Sequence, residues 1–243
     1  RETLIDTNIA LTYNAQLASV EPDQRQICLT TGEVIQYGHA INTAGLYADR
    51  VEHLFRCGQA YTLLPFTGIY WKLDPASALR FNHLVYPVPD LRVPFLGVHT
   101  TTTVDGATYL GPTAAPAFGR ENYSGLQGIN LTEAAQISWI LTKQLVENRD
   151  GFRRLAWREG RHYFKRWFVQ TAQAIVPRIK PEHLRPTSKV GIRAQMFNTQ
   201  KGKLENDFLI EQGENSTHIL NAISPAWTSA FPFARHVCDH YIR

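Results

Sequence analysis

Residues 190–196, VGIRAQM, alternate strictly, with Ile192, Ala194 and Met196 on one face of an extended chain and Arg193 and Gln195 on the other. That period of two predicts a strand with one apolar face. Shorter runs of the same kind in ASVEPDQRQICLTTGEVIQ, broken at Pro22-Asp23 and Thr31-Gly32, predict a β meander near the N-terminus. HAINTAGLYADRVEHLF then predicts a short strand, a small-residue turn, and a helix carrying Leu46, Val51, Leu54 and Phe55 on its apolar side. Strands return between Tyr61 and Thr113, with Asp105-Gly106 marking a hairpin between GVHTTTTV and ATYLG.

The period changes to that of a helix over residues 131–176. LTEAAQISWILTKQLV places Leu131, Ala134, Ala135, Ile137, Ile140, Leu141 and Leu145 on one face, and RHYFKRWFVQTAQAIV does so with Phe164, Phe168, Ala172 and Ile175. The last third predicts strands in VGIRAQMF, DFLIE and HILNA, then a helix from Thr228 to Tyr241 with Ser224-Pro225 as its starting signal. Sheet, then helices, then sheet points to an α+β or discontinuous αβ fold. One stretch fits neither period. VYPVPDLRVPFLGVH, residues 85–99, contains Pro87, Pro89 and Pro94, which exclude helix and confine Val85 to Val88 to a sheet edge or an extended wall.

Composition changes this picture little, charge rather more. The 243 residues are 44% hydrophobic and 19% charged, enough for a substantial core. No apolar run is long enough for a membrane span. The sequence starts at Arg1 without a leader, as expected of a mature piece or an expressed fragment. Cys28, Cys57 and Cys238 are odd in number and form no CxxC pair, which favours a reducing compartment over a disulfide scaffold or a zinc site. The net charge of +4 is concentrated between Arg149 and Arg166, where seven basic residues face only Asp150 and Glu159. Arginines interleaved with Trp157, Tyr163, Phe164, Trp167 and Phe168 would suit nucleic acid. The helical spacing of these aromatics favours core contacts with arginines reaching outward instead.

Several residues could carry chemistry. Arg193, on a strand among apolar neighbours, needs an anion: a structural partner such as Asp207 or Glu211, or a substrate carboxylate held by its planar fork. His99 is either a hydrogen-bonded strand residue or a proton acceptor suited to neutral pH. His236 and His240 share a helix turn but supply too few ligands for a metal, and none is expected.

In this order, AINTAGLYADRV, LVYPVPDLRVPFLGVHTT, VDGATYLGP, VGIRAQ, GKLENDFLIE and HILNAISPAWTSA resemble the L-2-hydroxyglutarate oxidase/dehydrogenase family, within the D-amino-acid-oxidase-like FAD-dependent oxidoreductases. The likeness runs from about Gly32 to the C-terminus. Family members carry a strand–GxGxxG–helix unit ahead of this region, and no GxGxxG occurs here. The resemblance therefore implies the C-terminal portion of such an enzyme, whose first partner is a missing N-terminal dinucleotide-binding half. It implies that residues 1–60 and 189–243 belong to the FAD-binding domain, and residues 61–188 to an antiparallel-sheet substrate domain with helices.

It further implies oxidation of a small 2-hydroxy acid, with hydride passing to the flavin. Arg193 would hold the carboxylate, His99 would act as base, and Tyr70 and Tyr86 would serve as pocket donors. Asn42, Ala44 and Gly45, with Ser224, Pro225, Ala226, Trp227 and Thr228, would approach the FAD. The expected location is cytoplasmic, including peripheral attachment at the inner face of the membrane. Where the family reads PFRGEY, this chain has PFTGIY, so Thr67 and Ile69 replace an arginine and a glutamate. It also reads GPTAAPAFGRENY against GPNAVLAFKREGY, with Thr113, Pro116 and Gly119 substituted, and SPAWTSA against SPAATAS. The other reading is a non-catalytic remnant acting through protein contacts.

Overall fold

The short runs broken by turn residues do form a meander: β1 (Leu17–Glu21), β2 (Gln26–Leu29) and β3 (Val34–Gln36) pair antiparallel in that order. The computed structural model describes residues 9–88, 96–222 and 226–242. Pro89, Pro94, Ser224 and Pro225 therefore lie outside the described residues.

After the meander comes β4 (Ala40–Asn42), a single 3-10 turn at Gly45–Tyr47, and α1 (Ala48–Leu54), as the small-residue turn predicted. The main sheet is antiparallel. Its centre is β6 (Phe66–Leu73), flanked by β10 (Leu184–Arg193) and β8 (Thr108–Gly111), with β7 (His99–Thr102) outside β8 and β9 (Ala115–Pro116) also pairing with β6. The Asp105-Gly106 hairpin joins β7 to β8, with Thr102 opposite Thr108. Two small sheets tie the beginning of the chain to its end. β5 (Tyr61–Leu63) pairs with β11 (Met196–Asn198), itself paired with β12 (Lys203–Leu204). β4 runs parallel to β14 (Ser216–Asn221), which pairs antiparallel with β13 (Leu209–Gly213). The division expected between residues 188 and 189 falls inside β10.

Helices α2 (Leu131–Glu147), α3 (Phe152–Gly160) and α4 (Lys165–Ala172) occupy the middle of the chain, and α5 (Ala230–Tyr241) ends it. Asn130 fixes the start of α2 by accepting the backbone N–H groups of Thr132 and Glu133 at 3.0 and 3.2 Å. The result is an α+β architecture. Phe168, Val169 and Ala172 of α4 pack on Leu73 and Leu110 of the main sheet, together with Val98, Ile179 and Leu184.

Three expectations about helix faces need correction. Leu131 is 85% exposed and Leu145 is also exposed, while Ile137, Ile140, Leu141 and the polar Gln144 are buried. The apolar stripe is narrower than the sequence pattern suggests, because α2 meets the core along one line only. Phe164 precedes α4 in extended conformation, outside the helix, and is 68% exposed. Trp157, Tyr163 and Trp167 are also exposed, so of the aromatics in the basic stretch only Phe168 is fully buried. Arg161 lies over the Trp167 ring, 5.1 Å from its centroid, so here a cation and an aromatic meet at the surface. Ser229 stands at the N-cap of α5.

Candidate active site

In an antiparallel ladder, directly opposed residues project to the same face and alternate residues share it. Arg193 stands opposite Phe66 and Gly191 opposite Gly68, so Tyr70, two further along β6, shares the Arg193 face. On the other side His99 is opposite Gly111. A Cβ on Gly111 would come within 2.8 Å of Tyr70 Cδ1 and 2.7 Å of the Ile69 carbonyl, at a φ of +142°. Only glycine lets β8 pass so close beside Tyr70. Arg193, Tyr70 and His99 thus share one face of the main sheet, and Trp71, Leu73 and Leu110 point from the other into the core beneath α4.

The electrostatics of this face are distinctive. The His99 pKa is lowered below 6.5, chiefly by burial, with the Gly97 carbonyl opposing and the Arg193 charge adding to the fall. Its Nδ1–H donates to the Gly97 carbonyl at 3.0 Å, which leaves Nε2 with the lone pair. Burial raises the Tyr70 pKa against the opposing Arg193 charge, so its hydroxyl stays protonated and can donate. Burial lowers the Arg193 pKa, while Tyr70 and Glu159 raise it. Its charge is thus supported by Tyr70 and Glu159 and felt by His99. The Tyr86 ring stacks on His99, with centroids 4.5 Å apart.

Val85 reaches the same edge. Its N–H donates to Thr100 Oγ1 at 2.9 Å and its carbonyl accepts the Thr100 N–H at 3.0 Å. The part of the proline-rich stretch within the described residues therefore lies along β7, as the prolines require. Sequence reasoning missed Lys189, whose ammonium lies 5.1 Å from the Tyr70 centroid and 4.3 Å from that of Tyr109. The alternation Lys189, Gly191, Arg193 carries the signal that would have found it.

A second group of expected residues gathers elsewhere. The Asn42 side chain is buried and bent back on its own turn: Oδ1 accepts the Ala44 N–H at 3.0 Å and Nδ2 donates to the Ala48 carbonyl at 2.8 Å. Nδ2 also lies 3.1 Å from His218 Nδ1. Asn42 thus shapes the turn, while Ala44 and Gly45 present exposed backbone after β4. Ala226, Trp227 and Thr228 follow β14, and Trp227 is 93% exposed. Because β4 and β14 are parallel, both segments leave the same end of the sheet, the carboxyl end at which open α/β sheets bind ligands.

Behind the turn, a buried ion network fixes α1 to α2. Arg120 grips Asp49 at 2.5 and 2.9 Å and Glu133 at 2.5 Å. Burial alone would raise the Asp49 pKa, but Arg120 and the Leu63 N–H hold it below 3.8.

An antiparallel sheet carrying Arg193, Tyr70 and His99 on one face is thus joined to the parallel strand pair β4 and β14 in a mixed α+β architecture. The family described as FAD dependent oxidoreductase matches residues 2–240, and the chain belongs to that family. Curated relatives include the L-2-hydroxyglutarate dehydrogenase of Escherichia coli (strain K12), 31% identical over 232 residues, covering 93% of this chain and 53% of the relative. The enzyme of that name from Indibacter alkaliphilus is 35% identical over 209 residues, covering 82% and 49%. The mitochondrial one of Homo sapiens is 32% identical over 216 residues, covering 86% and 46%. The chain spans about half the length of these relatives. Among solved structures, an L-alpha-glycerophosphate oxidase from Mycoplasma pneumoniae with FAD bound superposes with a TM-score of 0.57 at 18% identity, covering 91% of this chain and 48% of that one. That likeness concerns the fold. Among the described residues no helix is long and apolar enough to cross a membrane.

Proposed function

We propose that this chain is the C-terminal portion of an FAD-dependent enzyme that oxidises a small 2-hydroxy acid, of the L-2-hydroxyglutarate kind, to the 2-oxo acid. The observation that carries this reading is the gathering of Arg193, Tyr70 and His99 on one sheet face, with His99 held neutral and its Nε2 lone pair available. The residues present also suit the cofactor. Turns after two parallel strands, exposed at Ala44-Gly45 and at Trp227-Thr228, stand where a dinucleotide would cross the carboxyl end of the sheet. They would share it with a separate dinucleotide-binding half, the partner of residues 1–60 and 189–243, with residues 61–188 forming the substrate domain. The expected location remains cytoplasmic.

Each residue has a definite task. Arg193 takes the substrate carboxylate in its planar fork, fixing the α-carbon over the sheet. Tyr70 donates a hydrogen bond beside it. His99 Nε2 accepts the hydroxyl proton, the Nδ1–H bond to Gly97 holding the ring in that tautomer. Bound FAD supplies the acceptor for the hydride that leaves the α-carbon.

Anaerobic mixing of the flavin-loaded protein with 2-hydroxy acids tests the proposal. Bleaching of the flavin absorbance is the expected result. Arg193→Met should raise KM about 10- to 100-fold, as loss of a charged hydrogen bond does. Flavin that no 2-hydroxy acid reduces would overturn the reading.

A further inference from the structure

Lys189 stands out on the same face. Among the described residues it forms no ion pair, and its ammonium rests over Tyr109 and Tyr70. The ring contacts place it on the Arg193 side of the sheet, four residues back along β10. Four residues of strand separate the two Cα atoms by about 13 Å, and both side chains are long and jointed. Gly191 lies between them, exposed, and a Cβ there would meet nothing within 4 Å. The two cations thus flank a bare strip of backbone, with Tyr70 along one side.

The expected departures from the family pattern bear on this. Thr67 and Ile69 alternate with Trp71 and Leu73, on the face turned away from Arg193. A second cation for the site then comes from another position on the Arg193 face: Lys72 of β6 lies 5.9 Å from the Tyr109 centroid, and Lys189 of β10, which also reaches Tyr70, lies nearer at 4.3 Å.

We propose that Lys189 is a specificity-determining residue that binds the distal carboxylate of a 2-hydroxy dicarboxylic acid whose first carboxylate is held by Arg193, the carbon chain lying over Gly191. This deepens the reading given above and rests on it for the role of Arg193. The ammonium is a compact charge on a flexible stem, suited to a carboxylate at the far end of a chain whose near end is fixed by a planar fork.

The test compares the flavin-loaded protein with its Lys189→Met and Lys189→Arg variants on two substrates of equal carbon count, 2-hydroxyglutarate and 2-hydroxyvalerate. Lys189→Met should raise KM for 2-hydroxyglutarate about 10- to 100-fold. It should leave kcat, and the KM for 2-hydroxyvalerate, unchanged. Lys189→Arg should restore most of the affinity for the dicarboxylate. Calorimetric binding of glutarate and valerate, which lack the hydroxyl and cannot turn over, gives a readout independent of catalysis: only glutarate should weaken in Lys189→Met. Equal effects on both acids, or no effect on glutarate, would overturn the proposal. A protein that oxidises neither hydroxy acid, yet binds glutarate through Lys189, would refute the proposed reaction and leave the subsite standing.

Discussion

The two faces of the main sheet are built from the same strands and do opposite things. On one, Trp71, Leu73 and Leu110 meet α4, and Phe168 and Ala172 are fully buried against them. On the other, Lys189, Tyr70, Arg193 and His99 are only half-buried, and glycines stand at Gly191 and Gly111 where side chains would otherwise fill the space. The first face spends its alternation on packing, which stabilises without regard to chemistry. The second leaves polar groups in partial desolvation, where burial lowers the His99 pKa and raises that of Tyr70. The first face should respond to substitution in stability; on the second, Phe66 packs against α2, while Tyr70, His99 and Arg193 should respond in kinetics.

The largest expected effect lies on the packed face. Phe168→Ala empties a fully buried ring position and should cost about 3–5 kcal/mol of unfolding free energy. Denaturant unfolding measures it. KM for the hydroxy acid should hold in whatever fraction stays folded. Loss of KM with unchanged stability would break the contrast between the faces.

On the other face, His99→Gln should lower kcat about 100-fold while leaving the unfolding midpoint nearly unmoved. The pH profile of the unsubstituted protein sharpens this. Because the His99 pKa is lowered, the base is free at neutral pH, and kcat/KM should fall only as pH drops below 6.5 and the ring gains its proton. That acid limb should vanish in His99→Gln. A limb that persists would assign the titration to another group.

Alternation made Arg193 legible from seven residues, because a guanidinium between apolar neighbours on a strand has few explanations. The Asp105-Gly106 hairpin was legible too, and with it the strand that begins at His99. What the sequence could not supply was lateral register. The hairpin sets His99 opposite Gly111, but nothing local says that Tyr70 lies beside both or on the face of Arg193, since those pairings join positions about 40 to 130 residues apart. Lys189 lay within reach of the alternation that marked Arg193, but its ring partners Tyr70 and Tyr109 are remote in sequence. Helical periodicity failed in another way. It marked Phe164 and Leu131 as apolar positions, but the first lies in extended chain before α4 and the second is the exposed first residue of α2. The ion network of Arg120 with Asp49 and Glu133 likewise spans elements no local pattern connects.

The smallest expected effect concerns Tyr86, and it separates packing from chemistry within the site face. Its ring is half in solvent and stacks on His99 at 4.5 Å, a contact worth about 0.5–1.5 kcal/mol where it differs between states. The ring covers one side of the imidazole, contributing to the burial that lowers its pKa. Tyr86→Leu keeps an apolar side chain of smaller area in its place. The acid limb of the pH profile should then move upward toward the ordinary histidine value of 6.5, with kcat at neutral pH reduced by less than about 1.5-fold. Unfolding free energy should change little, since Tyr86 is exposed and lies outside the packed clusters. A shift of the limb without a loss of stability would show that a side chain on this face acts through the protonation of His99 and not through the fold.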